Sequence, residues 1–319
     1  MKIGIDIGGS HIATGIVLNN GKLLAKETRD IDVSSIKEVE RVETIIVDTI
    51  QNEIKTLLNR YDYTINDITR IGIAVPGSPT DTSIRNVVNL HIKEFNLAKK
   101  LSEIYNINSE TVERVDKCIK NQIEIKLAND GKCAGVAEKE YGALKGYDDC
   151  LFLCMGTGVG SAVFLGGKLL KAKQNPGFEF GHMIIDKDGT LCNCGKKGCF
   201  ETYASMKRFK VRAIEELDLP KDVQSEEVQN FIRKNSHKTK VNKFIDKYLE
   251  NVAIGVSNLI NIFEPEAICF GGSFSYYDDV FLEPLAEKLK KYVFNKNTKV
   301  TLISAKLKND AGIIGATEI

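Results

Sequence analysis

Short apolar runs that stop at glycine alternate along this chain with longer stretches of helical spacing. Lys2 to Ile7 predicts a strand that meets Gly8-Gly9, and Ile12 to Leu18 a second strand running into Asn19-Asn20-Gly21, where Asn-Gly signals a hairpin turn. A third strand spans Lys22 to Thr28. Val39, Val42, Ile46, Ile50, Ile54, Leu57 and Leu58 then recur at helical intervals and predict a helix over 39–58. Ile71 to Val75 reads as a buried strand ended by Pro76-Gly77, the kind of strand end that hosts ligands in open α/β sheets. The layout then returns. Cys150 to Met155 predicts a strand, Gly156 to Gly160 a loop, and Ser161 to Leu165 a further strand before Gly166-Gly167. Gly21-Lys22-Leu23-Leu24 after the first hairpin turn and Gly167-Lys168-Leu169-Leu170 after the second suggest one duplicated unit. Val252, Ala253, Val256, Leu259, Ile260 and Phe263 mark an amphipathic helix that Pro265 ends, before a strand at Ala267 to Phe270 and the loop Gly271-Gly272-Ser273.

At 319 residues and 43% hydrophobic content, the chain is long enough for a substantial core and about two domains. Charge changes the picture mainly by exclusion. The formal net charge is +1 with both signs interspersed, so no basic stripe points to nucleic acid or an anionic membrane. No stretch approaches the roughly 18 consecutive apolar residues of a membrane span, and the start lacks a signal-peptide core, so a cytoplasmic protein with a small partner is expected.

Glycine after a strand leaves backbone N–H groups free to face a phosphate chain. Three such loops occur: Gly8-Gly9-Ser10, Gly156-Thr157-Gly158 and Gly271-Gly272-Ser273. Each alone is an ordinary turn; together they point to a nucleotide. A Walker loop ending in Gly-Lys-Ser/Thr and a strand-linked G-x-G-x-x-G in convincing context are both missing, which argues against the two commonest nucleotide folds. Of eight cysteines, Cys192, Cys194 and Cys199 form H-x9-C-x-C-x4-C with His182, and Gly195 and Gly198 permit the turns that gather them. Three thiolates and an imidazole complete a tetrahedral, structural zinc with no open position for substrate. Local sequence alone reads Asp130, between the strand-like Ile123 to Ile125 and a helix over Lys132 to Tyr141, as a helix cap. On the same grounds Asp6, Glu179 and Glu201 are surface acids.

Asp6-Ile7-Gly8-Gly9-Ser10 and the stretch from Leu151 to Gly160 resemble the two phosphate loops of the actin-like ATPase superfamily. Gly181-His182, Cys192-Asn193-Cys194-Gly195 and Gly198-Cys199-Phe200-Glu201 narrow the likeness to the ROK family (repressors, open reading frames and kinases), from Asp6 to Ile314. The resemblance implies an α/β, two-lobed actin-like (ribonuclease H-like) ATPase fold with a cleft between lobes. An N-terminal lobe of residues 1–120 plus about 304–319 and a larger lobe of 121–303 are expected. It implies an ATP-dependent sugar kinase acting on a hydroxyl of a hexose, the 6-OH of glucose first, with N-acetylmannosamine or N-acetylglucosamine as alternatives, and a homodimer. Asp130 accepts the hydroxyl proton on that reading. Gly77, Asn89, Asn129, Glu179, His182 and Glu201 bind the sugar, and Asp6 orients Mg²⁺. Gly8, Gly9, Ser10, Gly156, Thr157 and Gly158 meet the phosphates, and Gly271, Gly272 and Ser273 border the adenosine. Ser10 stands where relatives carry Thr, and His91 to Phe95 departs from the family's continuation of Asn89-Leu90. Repressors of the family carry a helix-turn-helix domain ahead of the first loop, whereas Asp6 follows five residues, so the kinase branch is expected over a sugar-responsive regulator.

Overall fold

The computed structural model describes residues 1–33, 36, 38–87, 90, 92–105, 107, 123–172 and 178–319. Two compact units emerge, one of Met1–Tyr141, Lys171–Gly177 and Asn309–Ile319, the other of Gly142–Leu170 and Phe178–Lys308. The boundary expected after residue 120 lies outside the described residues.

In the first unit β1 (Lys2–Ile7), β2 (His11–Val17) and β3 (Leu23–Asp30) run antiparallel in series. β4 (Arg70–Val75) and β7 (Glu124–Asn129) extend the sheet in parallel, giving the order β3-β2-β1-β4-β7. The central strands are nearly continuous apolar runs because helices cover both sheet faces. On one face α1 (Val39–Arg60) buries Val42, Ile46, Ile50, Ile54 and Leu57, as its spacing predicts. On the other, Gly15, Gly4 and Gly72 fall in register on adjacent strands and leave a groove. The C-terminal helix α9 (Ala311–Ala316) occupies it: a Cβ on Gly4 would run into the Ile313 carbonyl, and one on Gly72 into that of Ala316. β5 (Ile84–Val87) and β6 (Ile92–Phe95) form a separate hairpin, followed by α2 (Leu97–Ile104). After β7, α3 (Asp130–Glu140) packs on α9 so closely that Gly315 sits against the Cys133 carbonyl.

The second unit repeats the plan. β8 (Cys150–Met155), β9 (Val159–Leu165) and β10 (Lys168–Leu169) are antiparallel in series; β11 (Ala267–Gly271) and β12 (Thr301–Ser304) continue in parallel, giving β10-β9-β8-β11-β12. This is the first sheet's order, as a duplicated hairpin requires. Between β10 and β11 lie α4 (Glu201–Ala204), α5 (Met206–Glu216), α6 (Ser225–Asn235) and α7 (Thr239–Phe263), and α8 (Asp278–Tyr292) precedes β12. α7 starts well before the expected Val252, because Val241, Phe244, Ile245, Tyr248 and Leu249 carry the apolar stripe back between charged residues. It ends at Glu264 in the left-handed conformation ahead of Pro265. Phe209, Tyr248, Tyr277 and Phe281 stack at this unit's core with ring centroids 4.7–5.4 Å apart.

Candidate active site

In the first unit the strand ends gather the acids. Asp6 lies near the end of β1, and Asn129 at the end of β7 pairs with Val75 across β4. Asn129, not Asp130, caps α3: its Oδ1 accepts from the Lys132 N–H at 3.2 Å, while its Nδ2 donates to the Gly77 carbonyl, also at 3.2 Å. The cap therefore joins two of the expected sugar residues. Asp130 opens the first helical turn, solvent-accessible, with Oδ1 accepting from the Gly131 N–H at 2.7 Å. Desolvation by the surrounding protein raises its pKa above the ordinary carboxylate range. Burial, and then the neighbouring Asp130 charge, push Asp6 up to about 7. The Asp6 carboxylate abuts the Gly312 backbone of α9, where a Cβ would have no room. Gly8, Gly9 and Ser10 form the β1–β2 turn, closed by Gly8 N–H to the His11 carbonyl at 2.8 Å, with Gly9 and Ser10 exposed. Asn89 lies outside the described residues.

In the second unit β8 and β11 are parallel neighbours, so the loops that follow them leave the sheet at one end. Gly272, with φ +64°, packs a would-be Cβ 2.7 Å from the Met155 carbonyl, seating the Gly271-Gly272-Ser273 turn against the strand that delivers Gly156-Thr157-Gly158. Gly156, Thr157 and Ser273 line one cavity of about 570 Å³ with Lys207 and Lys210 of α5, Gln229 of α6, and Tyr276. The Gln229 amide donates to the Tyr276 carbonyl, which fixes α6 to the turn after β11. These α5 and α6 residues are absent from the sequence-based reading. Their only linear trace is Lys207 and Lys210 one helical turn apart, directly after the cysteine-bearing segment.

His182, Cys192, Cys194 and Cys199 present ligand atoms all within 4.8 Å of one another. The Cys194 and Cys199 sulfurs are 3.6 Å apart, and His182 Nδ1 is 3.7 Å from Cys192 Sγ. Tetrahedral Zn–S bonds of about 2.3 Å set neighbouring sulfurs at about 3.8 Å, so the cluster fits such an ion. Burial and the adjoining thiols push Cys199 up to about 12, and burial raises Cys192; a divalent cation reverses that penalty by binding the thiolates. Nδ1 of His182 faces the cluster, which leaves Nε2 for another partner. Glu179 is exposed at the start of the 3-10 turn Phe180–His182. Glu201 is half-buried, with Oε1 3.9 Å from Cys192 Sγ and Oε2 accepting from the Val159 N–H at 3.1 Å. It is thus not the solvated surface charge that local sequence suggests.

Two sheets of one strand order, each opening with a glycine-turned hairpin, define the class as the actin-like α/β ATPase fold. The chain belongs to the ROK family, whose model matches residues 2–319. It is similar to the glucokinase of Thermotoga maritima, with 27% identity over 99% of this chain and 96% of the relative. The xylose repressor of Caldicellulosiruptor bescii is 25% identical over 98% of this chain and 76% of its own length. A ROK family glucokinase from Streptomyces griseus, solved in complex with glucose and AMPPNP, has the same two-lobed fold, with TM-score 0.79, 23% identity and coverage of 99% and 98%.

Proposed function

We propose that this chain is an ATP-dependent sugar kinase that transfers the γ-phosphoryl group to the 6-OH of glucose. The observation that carries the reading is the pair Asp6 and Asp130. Two carboxylates brought together at strand ends, both with raised pKa, form an arrangement that a cation and a proton-bearing substrate relieve. Asp130 accepts the proton of the attacking hydroxyl as its oxygen bonds to the γ-phosphorus, and ADP departs with the bridging oxygen. Asp6 would hold Mg²⁺, which when bound would supply positive charge to the phosphates. Asn129, fixed by its bonds to Gly77 and Lys132, holds the sugar in line for attack. The family resemblance adds Gly77 and Asn89 as further sugar ligands. Glu179, His182 Nε2 and Glu201 supply further hydroxyl contacts.

The turns Gly8-Gly9-Ser10 and Gly156-Thr157-Gly158 meet the phosphates, and Gly271, Gly272 and Ser273 border the adenosine. The cavity lined by Gly156, Thr157, Ser273, Lys207 and Lys210 supports that part of the reading by combining loop backbone with positive charge. His182, Cys192, Cys194 and Cys199 would hold a structural zinc ion, which would fix the shape of the loop and leave no open position for substrate. Free ATP as donor suits a cytoplasmic enzyme, and no helix among the described residues is long and apolar enough to cross a membrane. A sugar-responsive regulator without catalysis is the reading from another class, and it predicts no ADP formation with any hexose.

The test is ADP formation from Mg·ATP with glucose, mannose, fructose, N-acetylglucosamine and N-acetylmannosamine in turn. Glucose is expected to give the highest kcat/KM. Turnover with another sugar of the panel would reassign the substrate, and none with any hexose would remove the kinase reading.

A further inference from the structure

The segment that carries the metal ligands also grips the glycine loop after β8, and it does so at three points. Gly181, beside His182, stands where a Cβ would lie 2.6 Å from the Val159 carbonyl, so the two backbones are in direct contact. The Lys207 N–H, two turns past Cys199, donates to the Gly156 carbonyl at 3.1 Å. Between them Glu201 accepts from the Val159 N–H through Oε2, while its Oε1 faces Cys192. A carboxylate receiving a backbone N–H makes a charge-assisted bond, stronger than a neutral one. Gly158 is part of the same fit. A Cβ there would meet only the Glu201 carboxylate within 4 Å, with Oε2 inside any permissible contact. Its φ lies outside the left-handed region, so conformation does not demand glycine at 158. A methyl there would displace the carboxylate from its place on the Val159 N–H.

We infer that Glu201 is a positioning residue for the Gly156–Gly158 loop, clamping it to the metal-bearing segment so that the loop is held in shape before nucleotide arrives. The inference rests on reading that loop as the donor-phosphate loop, and it gives Glu201 a task separate from any sugar contact. Preorganising a binding loop raises affinity by removing the ordering cost from the binding step. Loss of the clamp therefore weakens nucleotide binding.

The experiment is calorimetric titration of ADP into wild type, Glu201→Ala, Glu201→Gln, Gly158→Ala and the Gly158→Ala/Glu201→Ala double variant, with metal content measured on each. Glu201→Ala is expected to raise the ADP Kd roughly tenfold, the size of one charge-assisted hydrogen bond. Glu201→Gln keeps an acceptor for Val159 and is expected to recover most of that loss. Gly158→Ala is expected to weaken ADP binding in the wild-type background and to cost little once Glu201 is Ala, because the atom it displaces is gone. Equal ADP affinity in wild type and Glu201→Ala at unchanged metal content would overturn the clamp. So would a Gly158→Ala penalty of the same size in both backgrounds, since it would come from the ligand and not from Glu201. A wild type that does not bind ADP would instead remove the donor-loop reading, and the clamp's role in nucleotide binding with it.

Discussion

Glu53 shows how a single side chain writes a pH dependence into the first unit. It is fully buried on α1, where Oε2 accepts from the Thr14 hydroxyl at 2.5 Å and Oε1 has no hydrogen-bond partner among the described residues. Desolvation pushes its pKa up to about 7 from an ordinary 4.5, against the weaker lowering effects of Thr14 and Arg29. The folded protein thus keeps a proton that the unfolded chain releases above about pH 4.5. Its contribution is fullest below that pH, declines as pH rises toward 7, and stays low above. Glu53→Gln is expected to flatten this slope and to raise stability at pH 8 by on the order of 1–2 kcal/mol, read from urea unfolding at pH 5 and pH 8. An identical pH slope in the variant would show that the carboxyl ionises as freely folded as unfolded. Nothing in the linear pattern marks Glu53, which stands one residue before Ile54 on the buried stripe; only the pairing of helix face to strand reveals what it meets.

Strands were the most legible elements, and the physical reason is that both faces of each sheet are covered. Lys2 to Ile7 and Cys150 to Met155 are bounded as their apolar runs and flanking glycines predict. The start of α3 is shifted from Lys132 to Asp130, with Asn129 as the cap whose Oδ1 accepts from the Lys132 N–H. The groove for α9 was not legible. Gly4, Gly15 and Gly72 are far apart in sequence and become one feature only when register aligns them. Gly72→Ala forces its methyl against the Ala316 carbonyl, so α9 must lift from the sheet. Overpacking of this kind costs about 1–3 kcal/mol. The variant is expected to lose that much in thermal or urea unfolding and to lose activity with it, because α9 also packs Gly312 against Asp6. Unchanged stability would mean that the helix does not hold the sheet as described.

Across the whole molecule, one strand order used twice supplies two glycine-turned hairpins, and the insertions after each carry different chemistry. The first unit holds the acids Asp6 and Asp130 with the Asn129 cap; the second holds the cluster of three cysteines and His182, the clamp at Glu201 and the lysine-bearing cavity. The meeting of His182, Cys192, Cys194 and Cys199 was readable because spacing within 18 residues nearly fixes it. Lys207, Lys210, Gln229 and Tyr276 were not, since they converge from two helices and a turn that only tertiary packing brings together. Every role proposed for the site depends on Asp130 as the proton acceptor of a phosphoryl transfer. The measurement that tests it most directly is glucose 6-phosphate formation from Mg·ATP by wild type and Asp130→Asn, with zinc content, ADP affinity and melting temperature recorded alongside. The expected rate is lower by about 10²- to 10⁴-fold with those three properties unchanged. Product formation by Asp130→Asn at the wild-type rate would contradict it.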